Sequence, residues 1–384
     1  MKNTSRPPRV LVVLANTNVC HRRYLEGILS YSRNVAERPW DVVLDLRDLS
    51  RESAIKPSEH EFDGVIAAIH NPAERATYVK SGLPTVLFEP TIRHSRRRKR
   101  QPNVVTFLYD HFSEGVTAAD YYLERGYEHF AYVGTVERTA LSDARQQGFL
   151  RRLARVGKTA RVYPPPPRRL CDEFPAEAPR LTKWLSGLPH RTAVFVAHDE
   201  RAQQIISCAL HAGLEIPDDF AVLGIDNDEL LCTTAMPTIS SIPVNAKEMG
   251  YRFAQTLDDL LHGRPTDVGV RVSHTSVISR RSTEAFALPD PFLARALSYA
   301  AANLANRPRI DDLAREAHCS KRHLQIRALK VLGHPLKNEL MRLQVKEAHR
   351  RLSLPTANVR DVAVACGFCT VAHMRQRLAA TDLT

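Results

Sequence analysis

"TAVFVAHDERAQQIISCALHAGLEIPDDFAVLGIDNDEL", residues 192–230, decides how the larger part of this chain is read. It opens on an apolar strand running to Asp199. A helix follows over 200–212 and closes at Gly213, and a second apolar strand, "FAVLGIDN", comes after it. Apolar runs bounded by turn residues fit parallel strands covered on both faces. Two such strands joined by a helix make a βαβ unit. The second strand ends in Asp226, Asn227, Asp228 and Glu229, three acids and an amide in a chain whose net charge is +12. Open parallel sheets present ligands with the carboxyl ends of their strands. The acids are therefore read as the lining of a pocket.

The same pattern extends in both directions. Strands are expected at 9–15, 40–46, 62–69, 84–89, 104–110 and 129–135, with helices at 21–33, at 112–125 before Gly126, and over "LSDARQQGFLRRLARVG". Strands and helices in alternation predict two α/β lobes. The proline-rich 163–179 reads as a loop, because the pattern resumes beyond it. Several strands end in hydrogen-bonding residues: Asn16-Thr17-Asn18, His70-Asn71, Glu89, Tyr109-Asp110, His198-Asp199 and Asp226-Asn227. Arg145 lies early in the helix after 129–135. Carboxylates that accept and Arg or Asn groups that donate suit a neutral polyhydroxyl ligand. The competing reading is that these Asp and Asn residues are helix N-caps.

Beyond "RRSTEAFALPDPF" (280–292) the chain reads as helical throughout. Leu293, Leu297, Ala300 and Leu304 share one face of the first helix. "IDDLAREAHCSKRHLQIRALKVLG" is two short helices around "AHCS", 335–353 is a longer helix, and "VRDVAVACGFCTVAHMRQRLAA" repeats the two-helix shape. Residues 291–384 hold 16 Lys/Arg against 7 Asp/Glu, while the remaining 290 residues carry only +3. Basic charge gathered in one module is the footprint of a nucleic-acid binder. Ser320 is expected to cap the second helix of the first unit. Lys321, Arg322, His323, Gln325 and Arg327 are expected to face outward as donors to bases and phosphates. In the second unit Thr370, His373, Arg375 and Gln376 take that place. A solvated amphipathic helix is the plainer alternative, and repetition of the unit speaks against it.

The sensor stretches, including "SDARQQGF", "VAHDE" and "GIDND", resemble the effector-binding domain of the lactose-repressor family over about 9–285. The resemblance implies a two-lobed fold like that of periplasmic sugar-binding proteins. It places sugar contacts at Arg145, His198, Asp199 and Asp226, with His198 where the family has Asn; Asn16 and Asp110 join them as strand-end residues. That family's N-terminal DNA-binding head is not expected, since few residues precede the first strand. "LAREAHCSKRHLQIRALKVLGHPL" and "VRDVAVACGF" resemble the arabinose-regulator family, whose two helix-turn-helix units read successive major-groove segments. Three departures stand out. Ala328 replaces a usual Phe, which predicts a looser first unit. Val371 and Ala372 replace polar base readers. The sequence also reaches Thr384 before the family's terminal segment. A sensor placed ahead of such a reader resembles bacterial regulators of xylose catabolism. That likeness implies D-xylose as inducer, a homodimer acting as activator, and double-stranded promoter DNA and RNA polymerase as partners.

The expected division is thus 1–285 for the sensor, with lobe 1 about 9–109 and 243–269 and lobe 2 about 110–242 and 270–285. Residues 286–384 form the reader, with units at about 310–331 and 359–378. Seven scattered cysteines, an odd number, argue for reduced thiols and a cytoplasmic setting. No signal peptide and no membrane contact are expected, because no apolar run nears the roughly 18 residues that span a bilayer. "CGFC" (366–369) lacks a second ligand pair, so turn packing is preferred over zinc or redox chemistry. "RHSRRRKR" (93–100) is read as a solvated loop. No Gly-rich phosphate loop, nucleophile elbow or His-x-x-Glu-His motif points to an enzyme, and no cofactor is expected. A transport-type sugar-binding protein, or a regulator of another pentose or hexose, remains the alternative.

Overall fold

The protein's computed structural model describes residues 6–15, 19–47, 55–57, 61–69, 72–89, 101–136, 139–166, 174–266, 271–272, 276–284, 288, 290–352 and 358–381. Asn16, Thr17, Asn18, His70, Asn71 and the 93–100 loop lie outside them.

The first lobe holds β1 (Arg9–Ala15), α1 (Val19–Asn34), β2 (Asp41–Arg47), β3 (Gly64–Ala68), α2 (Pro72–Lys80), β4 (Thr85–Glu89) and β5 (Val104–Tyr109). The chain then crosses. The second lobe holds α3 (His111–Leu123), β6 (His129–Val133), α4 (Ala140–Ala154), β7 (Ala160–Val162), α5 (Phe174–Ser186), β8 (Thr192–Val196), α6 (Asp199–His211), β9 (Phe220–Asp226), α7 (Glu229–Thr234) and β10 (Ser240–Pro243). It returns for α8 (Ala246–Leu261) and β11 (Arg271–Val272), and ends in the second lobe with a turn at Arg281–Thr283. β11 pairs in parallel with β5, so 271–272 belong to the first lobe and the last crossing falls later than the sequence suggests.

Both sheets are parallel and doubly wound, in the orders β11-β5-β4-β3-β1-β2 and β10-β9-β8-β6-β7. Their central strands are buried along nearly their whole length, as expected for sheets covered on both faces. Each sheet reverses direction beside its first strand, between β1 and β3 and between β6 and β8. Ligands bind outside such switch points. Across the lobes, Cys20 and Arg23 of α1 meet Asp226 and Asn227 at the end of β9, and one apolar cluster runs through both lobes, from Val10 and Phe107 to Phe195 and Ile225.

The sequence misjudged α5. Pro179 lies inside this helix, yet Leu181 and Leu185 are fully buried and Glu177 pairs with Arg201 at 2.5 Å. Tertiary packing overrides the proline here.

The C-terminal part is α9 (Pro291–Ala302), α10 (Ile310–Glu316), α11 (Lys321–Leu332), α12 (Leu336–Leu352), α13 (Val359–Ala365) and α14 (Val371–Thr381). It has two cores. Leu293, Leu297, Leu313, Leu324 and Ala328 form the first, and Val345, Val362, Phe368 and Met374 the second. Ala328 is fully buried, among bulky side chains that come from α9, α10, α11 and α12. Arg307 donates to the Phe368 carbonyl at 2.9 Å and ties the two cores together.

Candidate functional site

The polar run after β9 separates into distinct roles. Asp226 closes the strand with φ at 102°, and Asn227 follows at φ 48°, both left-handed backbones that non-glycine residues rarely adopt. Such strain collects at functional sites. Asn227 donates its N–H to Ser241 Oγ, its side-chain oxygen accepts from Arg280 at 2.8 Å, and its carbonyl accepts from Arg23 of α1 at 3.1 Å. Asp228 caps α7 through the N–H groups of Leu230 and Leu231. Asn227 therefore joins the lobes, Asp228 starts a helix, and Asp226 is left at the cleft. A cavity of about 270 Å³ opens beside Arg23, Glu26, Lys247 and Glu248, next to the hinge.

Arg145 reaches the same place from α4. Its Nε donates to Glu114 at 2.6 Å and its Nη1 to the Ala197 carbonyl at 2.5 Å. Glu114 is fully buried, and His111 Nδ1 lies 3.0 Å from the same carboxylate. A buried charge is tolerated when it is paired and hydrogen-bonded. The helices can bring these groups together because α3 and α4 cross on two glycines. A Cβ on Gly115 would lie 2.0 Å from the Arg145 carbonyl, and one on Gly148 2.0 Å from that of Phe112. Burial opposes the charge on Arg145, but Glu114 and Asp226 more than offset it and raise its pKa.

Asp226 feels the converse. Burial pushes its carboxyl up to about 6, Arg145 pulls it down, and Glu114 pushes it up again. Across the lobes, Cys20 Sγ lies 3.7 Å from Asp226 Oδ1. Burial and Asp226 together raise the Cys20 thiol, so it meets the carboxylate as a neutral donor. Tyr24 and Tyr109, both buried, are pushed upward mainly by burial and stay neutral.

The other expected cleft residues divide. His198 caps α6, with Nδ1 accepting the Arg201 N–H at 3.2 Å. Burial, Arg145 and Arg201 lower its pKa to about 4. A neutral ring whose Nδ1 accepts carries its hydrogen on Nε2, so His198 offers a donor. Asp199 is the first residue of α6 and not a strand end. Ser241 Oγ donates to its Oδ1 at 2.7 Å, and the Asp228 N–H and Cys232 Sγ donate to its Oδ2 at 2.8 and 3.3 Å. Its 1% exposure and these three donors give it a structural task, against the ligand contact expected from the sequence. Burial, then Asp226, raises it to about 7. Asp110 caps α3 and takes the Ser113 N–H and Oγ at 3.1 and 2.7 Å. Sequence reading missed Glu114, His111 and Cys20. Glu114 left a signal, because it shares the apolar face of Gly115, Ala118 and Ala119 on α3.

In the reader, Lys321, Arg322, His323 and Gln325 on α11 are exposed, and Lys321 lies 3.0 Å from Asp311. Ser320 accepts the His323 N–H at 3.2 Å, and Thr370 does the same for His373 at 3.1 Å. Arg327 departs from expectation. Its guanidinium pairs with Asp290 at 2.5 Å and sits 4.5 Å over the Phe292 ring, so it packs against the start of α9 while 39% of its side chain stays exposed. On α14, Arg375 and Gln376 are exposed, while His373 lies 5.6 Å from the Phe368 ring and accepts from Arg377 at 3.3 Å. In "CGFC" Cys366 is buried and Cys369 exposed. Among the described residues, no group of three or more His, Cys, Asp or Glu could hold a metal ion, and no helix is long and apolar enough to cross a membrane.

A family model for the periplasmic binding protein-like domain matches residues 119–283. That stretch is therefore similar to a periplasmic binding protein-like domain. The likeness extends past it: the chain is 22% identical over 373 residues to the xylose operon regulatory protein of Haemophilus influenzae, covering 94% of this chain and 93% of that one. The Escherichia coli K12 protein of the same name is 24% identical over 361 residues, covering 93% and 91%. Among solved structures, that of a xylose-binding transcription activator, xylR, matches 99% of this chain and 97% of its own, with a TM-score of 0.63 at 21% identity. The fold, a two-lobed α/β part followed by a helical part, is thus similar to that structure over nearly the whole chain.

Proposed function

We propose that the chain is a sugar-responsive, sequence-specific DNA-binding transcription regulator with D-xylose as its inducer, activating genes of xylose catabolism. One observation carries the reading. Asp226, in strained backbone, meets α1 of the opposite lobe through Cys20 while Arg145 acts on it from α4. Acceptor and donor thus stand together where the two lobes meet. In this reading Asp226 accepts from sugar hydroxyls, Arg145 and the His198 Nε2–H donate, Asn16 adds a strand-end contact, and Asp110 and Asp199 hold the elements around them.

The sensor spans 1–285 and the reader 286–384, with helix-turn-helix units at about 310–331 and 359–378. Arg322 and Gln325 read bases, Lys321 and His323 reach phosphates, and Thr370, Arg375 and Gln376 bind in the second unit. The similarity of the whole chain to xylose operon regulatory proteins supports the choice of sugar. A homodimer, RNA polymerase as partner, a cytoplasmic location and the lack of catalysis belong to the same reading. Calorimetry of the full chain against D-xylose, L-arabinose, D-ribose and D-glucose tests it. D-xylose is expected to bind at least tenfold more tightly than the others. Tightest binding of another sugar would keep the regulator and replace its inducer.

A further inference from the structure

After its first turn the outer crest of α11 is apolar. Leu324 and Ala328 point into the core with no exposure. At 3.6 residues per turn, the positions opposite them are Arg322, Ile326 and Leu329. Ile326 is 54% exposed and Leu329 56% exposed. Exposed residues flank this crest: Lys321 and Gln325 on one side, His323 and Lys330 on the other. A single apolar residue on a surface needs no explanation. Two on adjacent turns, at the summit of a helix whose remaining exposed side chains are all hydrogen-bonding or charged, call for an apolar counterpart bordered by negative charge.

We infer that Ile326 and Leu329 are specificity-determining residues that read thymine methyl groups in the major groove; the inference rests on the DNA-binding function proposed above. The occupant follows from charge complementarity. Residues 291–384 carry 16 Lys/Arg against 7 Asp/Glu, and the flanking Lys321, His323 and Lys330 suit phosphates on either wall of the groove. The floor of that groove offers an apolar group only at the thymine C5 methyl. Arg322, one turn before Ile326 on the same crest, adds bidentate guanine readout at the N-terminal end of the helix. α11 is therefore matched to a site in which a guanine lies one or two base pairs from thymines. α14 differs at the equivalent positions, where Ala372, Gln376 and Ala379 form the crest without a branched apolar side chain.

The test uses the full chain, with duplexes selected by it from a random library. Selected sites should carry thymine at fixed positions beside a guanine. Replacing those thymines by uracil, which removes only the methyl, should weaken the wild type about threefold to tenfold per contacted base. The same replacement should leave Ile326→Ala or Leu329→Ala almost unaffected, and each variant should select sites with thymine relaxed at one position. Both residues are exposed, so melting temperatures should be unchanged. An equal uracil penalty in wild type and variants would overturn the inference while leaving the DNA-binding reading intact. So would Ile326→Ser/Leu329→Ser turning a dimer into a monomer in sedimentation, which would make the crest a protein interface. Selection of no preferred sequence would overturn both the inference and the reading beneath it.

Discussion

Arg145 and Arg322 carry the same guanidinium into opposite surroundings. Arg145 is 4% exposed, held by Glu114 and the Ala197 carbonyl within a cleft that its charge helps to tune. Arg322 stands exposed on α11. The cleft stores its polar groups under apolar cover, where every charge needs a partner and loss of one partner is felt by the fold. The reader displays its donors in water, where loss of one changes binding alone. A sensing site of this kind is coupled to stability, and a reading surface is not.

The sharpest break of that contrast is Arg145→Ala. It leaves the Glu114 carboxylate buried without its main cation, and breaking a buried pair from one side costs about 3–5 kcal/mol. Urea denaturation is expected to show a loss of that size, and a loss under 1 kcal/mol would show that the pair is not built into the fold. Arg322→Ala is the counterpart. It should leave denaturation unchanged within about 0.5 kcal/mol. It should weaken a selected DNA site by about 1–3 kcal/mol, with little effect on scrambled DNA.

The cleft should also respond to pH where the reader does not. A carboxyl raised to about 6 is anionic above that pH and neutral below it. An Asp226 that accepts from sugar hydroxyls as the anion gives full affinity above about 6. Affinity is lost as pH falls, by about tenfold per unit well below it. His198, lowered to about 4, stays neutral over the same range and adds no opposing titration. Calorimetric titration of D-xylose from pH 7.5 to 5 should show the decline, and Asp226→Asn should reduce it to what remains from Asp199, which burial raises to about 7. The smallest expected effect lies in the second unit. Arg375→Ala should weaken all DNA sequences alike and reduce the slope of log affinity against log salt by about one, as for one lost phosphate contact. A loss confined to the selected site would make α14 a base reader equal to α11.

Much of this was legible beforehand, for physical reasons. Parallel strands buried on both faces announce themselves as apolar runs, which is why β1, β3, β8 and β9 could be read within a few residues. α5 could not, because Pro179 signals a loop locally while Leu181, Leu185 and the Glu177–Arg201 pair impose a helix from outside the segment. Strand-end acids likewise look alike in sequence. Asp110, Asp199 and Asp228 prove to be caps and clamps, and only three-dimensional bookkeeping of their oxygens separates them from Asp226. Arg327 failed for a related reason. A basic residue on a helix reads as outward, but Asp290 and Phe292, well over thirty positions earlier, draw it against the start of α9.

The central claim is that one chain senses a sugar in its cleft and reports it through a separate DNA reader. Titrating the full-length protein into its selected duplex, with and without saturating D-xylose, for wild type and Asp226→Ala, tests this most directly. The wild type should shift its DNA affinity at least fivefold with sugar. Asp226→Ala should match the sugar-free wild type under both conditions, folded at the assay temperature although less stable than the wild type. An Asp226→Ala protein that still shifts with D-xylose, or a wild type that does not shift, would contradict the account.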